Sequence, residues 1–129
     1  MIKTLALIFG TLFLAAGVLG FVPALTPNGH LFGLHVNAAH NMVHILSGIA
    51  AIACGLRSPG AARRFFQIFG IVYGLVAVLG FVYGDRPILG LIANNIPDAW
   101  FHSVVALASL IIGFVLKDEM VPRIRNSTA

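Results

Sequence analysis

Hydrophobic positions run almost unbroken along four stretches of the chain, roughly Thr4–Val22, Ala38–Leu56, Phe65–Tyr83 and Pro97–Leu116. Each is about 19–20 residues long, close to 30 Å as an α-helix, which is the thickness of a bilayer's hydrocarbon core. The runs are too long and too continuously apolar for barrel strands, so helices must satisfy the backbone in lipid. Between them lie turn formers: Pro23 to Gly29, Arg57-Ser58-Pro59-Gly60, and Gly84-Asp85-Arg86-Pro87. The pattern predicts an all-α fold, a bundle of four transmembrane helices.

Composition sharpens this. Of 129 residues, 59% are hydrophobic and 9% charged, with a mean hydropathy of +0.97. A soluble domain carries about a quarter of its residues charged, so the partner of this surface is the lipid bilayer. The net charge of +4 gathers near the ends of the apolar runs. That reads as membrane anchoring, and no nucleic-acid partner is expected. Cys54 is the single cysteine and lies in an apolar stretch, so there is no disulfide framework. Lys3, the apolar run after it and Val22-Pro23-Ala24 resemble a secretory signal, but the run is longer than such signals use, and it reads as a retained helix.

Positive charge predicts orientation. Lys3, the Arg57/Arg63/Arg64 loop and the tail with Lys117, Arg123 and Arg125 hold nearly all of it, whereas the other two loops hold only Arg86 beside Asp85. Both termini and the middle loop are expected to be cytoplasmic, in a bacterial inner membrane, with the two long loops outside.

The chain also repeats itself. Gly17-Val-Leu-Gly-Phe-Val22 recurs as Ala77-Val-Leu-Gly-Phe-Val82, and Asn37-x-x-His40-x-x-x-His44 recurs as Asn95-x-x-Asp98-x-x-x-His102 at an offset of 58. Residues 1–129 are therefore expected to form one membrane domain of two repeated helical hairpins, about 1–57 and 60–118, with a short tail at 119–129. Small residues such as Gly70-x-x-x-Gly74, Gly48 and Gly55 suit close helix packing in lipid.

The candidate chemistry sits on the repeated motif. His40 and His44 share one helical face, as do Asp98 and His102. If the repeats meet about a two-fold axis, His44 opposes His102 and His40 opposes Asp98, in the outer part of the bundle. Ionisable groups inside a membrane are expensive and mark functional sites. Paired ligands at i, i+4 are how helices grip an ion, and three imidazoles with a carboxylate suit zinc or iron. Asn37, Asn41 and Asn95 would then orient the imidazoles by hydrogen bonding. Two other readings stand beside this one. The cluster can instead be read as a structural polar network, with Asn37 and Asn95 as helix N-caps. Alternatively His44 and His102 are the axial ligands of a b-type haem. His30 and His35 read as solvated loop residues.

These motifs, Asn37 with His40-Asn41-x-x-His44 on the second helix and Asn95-x-x-Asp98-x-x-x-His102 opening the last, resemble those of a bacterial four-helix membrane family known as a domain of unknown function. The resemblance runs from the first helix to Leu116. It implies an inner-membrane four-helix protein and no established activity. Nothing marks a nucleophile–base pair, and the sequence leans away from an enzyme. A homodimer or a non-catalytic place in a larger membrane complex suits its small size and glycine-rich faces.

Overall fold

A computed structural model describes residues 1–117. The tail expected over 119–129 lies outside the described residues. Four helices carry the fold: α1 (Ile2–Leu19), α2 (Ala38–Arg57), α3 (Pro59–Tyr83) and α4 (Ile96–Leu110), the last continuing through a π-helical turn, Ile111–Val115. All four are long and apolar enough to cross a membrane, α4 counted with its π turn. Most of their side chains face outward: Leu12, Leu75 and Val104 are each more than 60% exposed. In water such a surface would aggregate; in lipid it is the solvent-facing side. The chain is an integral membrane protein.

The helix ends differ from the hydropathy pattern where local chemistry overrides it. α3 begins at Pro59, not near Phe65, because Ser58 caps it through a bond from Ala61 N to Ser58 Oγ (3.1 Å) and Pro59 fills the first turn. Arg63 and Arg64 therefore lie on a helix, and the connection from α2 shrinks to Ser58 alone. The π turn would leave backbone carbonyls unpaired. The Gly113 carbonyl accepts from Arg63 (3.1 Å) and from Gln67 Nε2 (3.0 Å), both on α3.

Two hairpins result, α1 against α2 and α3 against α4. A Cβ on Gly48 would sit 2.6 Å from Leu14 N, and one on Gly10 2.7 Å from Gly48 O, so the backbones of α1 and α2 are in contact. Gly70 against Leu110 and Gly113 against Gln67 do the same for α3 and α4. Gly74, by contrast, has open space around it and is no packing site. The hairpins are joined by a diagonal seam of aromatic rings from α1 and α3. Phe9 lies edge-on to Phe66 (5.6 Å between centroids) and to Phe69 (4.8 Å). On the other diagonal, the backbones of α2 and α4 hardly approach one another. Side chains must fill that gap, and the histidines do.

The long connections close the opposite end from Ser58. His30–Leu31 (β1) pairs antiparallel with Leu34–His35 (β2) around a two-residue turn in which Phe32 and Gly33 both have positive φ (51° and 87°), the geometry of a tight hairpin. Across the pseudo-two-fold axis the loops and caps exchange bonds. Asn37 Nδ2 donates to Leu91 O (2.8 Å), and Asn95 Nδ2 donates to Gly33 O (2.9 Å). Donors and acceptors are each 58 residues apart, so the offset seen in the sequence is a symmetry of the structure.

Candidate metal centre

The site starts from the two caps. Asn37 accepts from His40 N at 2.9 Å and opens α2; Asn95 accepts from Asp98 N at 3.0 Å and opens α4. From these fixed starts, helical geometry aims His40 and His44, one turn apart, into the gap between α2 and α4. His102 reaches the same gap from α4. The ring centroids form a triangle: 4.6 Å from His40 to His44, 5.9 Å from His40 to His102 and 6.1 Å from His44 to His102. One ligand-type nitrogen from each ring falls within 4.8 Å of the other two. All three residues are buried, at 2%, 7% and 5% exposure.

Their hydrogen bonding is incomplete. His40 Nδ1 lies 2.9 Å from Ala93 O. A carbonyl cannot donate, so Nδ1 carries the proton and Nε2 of the neutral ring is left as a lone pair. His40 Nε2, His44 Nε2 and both ring nitrogens of His102 are buried without a partner. Beside them is a void of about 40 Å³ shared by the three rings and Tyr73. Leaving a buried polar atom unpaired costs on the order of 1–3 kcal/mol, so four in one place is a costly arrangement for a purely structural core.

Asp98 stands outside the triangle. Its Oδ2 accepts from Asn95 N (3.1 Å), completing a capping box, and from His35 N (3.0 Å) in the other repeat's hairpin. Oδ1 is buried and unpartnered. The pairing reveals what Asp98 is. It is the symmetry equivalent of His40, and Ala93 is the equivalent of His35. In one half a side chain donates to a loop carbonyl; in the other a side chain accepts from a loop N–H.

The asparagines fill roles other than orienting rings. Asn37 and Asn95 are caps and loop ties, as given above. Asn41 lies against Gly20, where any Cβ would collide with its amide. The group that orients an imidazole is the Ala93 carbonyl, which no sequence pattern announces. Tyr73 also escaped the sequence reading. Its ring meets His102 edge-on at 5.5 Å, and its hydroxyl lies 3.1 Å from Ser47 Oγ. A phenol in the middle of the apolar run of α3 was the available signal. His30 and His35 stack on each other at 4.9 Å in the loop hairpin, apart from the triangle.

With this geometry in view, a family model described as a domain of unknown function, DUF4383, matches residues 3–115. The chain belongs to that family. The match covers all four helices and all of His40, His44, Asp98 and His102. No curated protein and no solved structure matches the chain.

Proposed function

We propose that this DUF4383 protein binds a single transition-metal ion through His40, His44 and His102. The observation that carries the reading is the buried triangle of imidazoles whose donor atoms converge within 4.8 Å while four ring nitrogens lack partners. Three neutral nitrogen ligands suit a borderline divalent ion such as zinc or iron. The bond from His40 Nδ1 to Ala93 is the outer contact that metal-binding histidines use to fix their tautomer. Asp98, with one buried oxygen free, would balance the ion's charge from outside the ligand set. Haem fits less well. The cavity that His44 and His102 share measures about 40 Å³, far less than a porphyrin needs, and the His40 ring stands beside both.

The protein is further proposed to sit in a bacterial inner membrane with both termini cytoplasmic. Lys3, Arg57, Arg63 and Arg64 gather at the end of the bundle opposite the metal site, and the long-loop end offers only Arg86 with Asp85. The ion then lies toward the outer leaflet. A reporter fused after Ala129 should read as cytoplasmic, and a periplasmic reading would overturn the orientation.

Elemental analysis tests the metal. The protein, purified in mild detergent with an affinity tag free of histidine, should carry one ion per chain and show no Soret band. His44→Ala and His102→Ala should each lose the ion. A metal-free wild type that cannot be loaded with zinc or iron would overturn the proposal.

A further inference from the structure

α2 and α3 meet at the short connection through Ser58, and a groove runs between them from there toward Ser47 and Tyr73. The groove has a volume of about 820 Å³. Its walls are apolar and partly small, with Ala50 and Cys54 on α2 and Ile68 and Val72 on α3. At its short-loop end stand Arg57 and Arg64, both exposed. Neither side chain makes a hydrogen bond or ion pair within the described residues. At its far end the groove stops against Ser47 and Tyr73. Ten residues of α2 separate Ser47 from Arg57, about 15 Å at 1.5 Å per residue, which is half the hydrocarbon thickness of a bilayer.

We propose that this groove is a binding site for one anionic phospholipid, its phosphate held by Arg57 and Arg64 and an acyl chain lying along the groove toward Tyr73. The profile is that of an amphiphile: two cations at the membrane surface, then an apolar channel one leaflet deep. Guanidinium groups match phosphate oxygens in charge and in hydrogen-bond geometry. A second copy of the chain offers no such match. Its acids among the described residues are Asp85, in the long-loop connection at the other end, and Asp98, fully buried. The site is independent of the metal proposal, although Tyr73 ends the groove and touches His102 with its ring edge.

The test places a reporter inside the groove. Trp100, the sole tryptophan, is changed to Phe and Cys54→Trp is introduced. The protein is reconstituted in phosphatidylcholine vesicles containing brominated phosphatidylglycerol or, at the same mole fraction, brominated phosphatidylcholine. The anionic lipid should quench preferentially, by about fivefold in relative affinity for each arginine, and Arg57→Gln with Arg64→Gln should abolish the preference. Added salt should weaken it. Because a tryptophan at position 54 could disturb folding, native mass spectrometry of the otherwise unaltered chain provides a second reading. Phosphatidylglycerol should stay bound to it and be lost from the double-glutamine variant. Equal quenching by both lipids, or a preference that survives loss of both arginines, would overturn the proposal. So would no quenching at all, since the groove would then be filled by protein, either the chain's own tail or a second copy.

Discussion

Replacing His44 and His102 together by leucine separates a metal site from a structural polar network. His40 is left in place, because removing it would strand the Ala93 carbonyl that its Nδ1 satisfies. The double change removes three unpartnered buried nitrogens: His44 Nε2, His102 Nδ1 and His102 Nε2. At the low end of the cost for such atoms, about 1 kcal/mol each, the metal-free wild type carries roughly 3 kcal/mol of penalty. A water in the 40 Å³ void would relieve part of it. The double-leucine protein should therefore be at least as stable as the metal-free wild type, and more stable by about 1–3 kcal/mol. Metal reverses the order. At a free ion concentration of 1,000 times Kd, the wild type should gain about 4.1 kcal/mol, and the variant should gain nothing. Reversible unfolding in mixed micelles, followed by circular dichroism with zinc or with chelator, measures all four states. A wild type indifferent to metal, with a double-leucine variant less stable than it, would refute the reasoning and identify the histidines as a structural network.

Asn37 combines a cap with a tie across the pseudo-two-fold axis. Asn37→Ser keeps the cap and should cost about 1 kcal/mol for the lost bond to Leu91, whereas Asn37→Ala loses both and should cost about 2 kcal/mol; equal losses in the same unfolding assay would show that one of the two bonds carries nothing. Gly48→Ala forces a methyl to within 2.6 Å of the α1 backbone and should destabilise by about 1–3 kcal/mol. Gly74→Ala, with nothing nearby, should be neutral or stabilise by up to about 1 kcal/mol. If Gly74→Ala proves the worse of the two, the helix packing described here is wrong.

The sequence revealed most where lipid imposes the rule. A span must be long, apolar and helical, so all four helices could be read from hydropathy, and their pairing into two hairpins followed from the repeat. The ends were less legible because side chains decide them. Arg63 and Arg64 look like loop residues by hydropathy, yet Ser58 and Pro59 start α3 before them; Arg64 stays exposed on the helix, and Arg63 turns to the Gly113 carbonyl. The three histidines could be brought together from an i, i+4 spacing and a 58-residue offset. The aromatic seam between α1 and α3 could not, since ten phenylalanines offer too many equivalent partners. Nor could the Ala93 carbonyl, because any residue presents the same backbone.

The clearest case is position 98, where the repeat holds in geometry and breaks in chemistry. Symmetry predicted that His40 and Asp98 would face each other as ligands across the axis. They do occupy equivalent positions, each tied to the partner hairpin's loop, but the bonds run in opposite senses. Histidine at position 40 spends its proton on Ala93 O and turns a lone pair into the cluster. Aspartate at position 98 spends Oδ2 on two backbone N–H groups, Asn95 and His35, so its first duty is to cap α4 and anchor the loop. A histidine there could not accept both bonds while also supplying a lone pair. Conversely, an aspartate at position 40 would face the Ala93 carbonyl as a second acceptor, with nothing to donate when ionised. The duplicated scaffold thus offers two equivalent anchoring points and allots them unlike residues. One becomes an imidazole with a fixed tautomer, and the other becomes a buried carboxyl group that steadies the loop beside it. A symmetric pair would give either four imidazoles with no counter-charge or two carboxylates with no anchored ring. The departure from repetition is what leaves three imidazoles and one buried carboxyl group around a single gap.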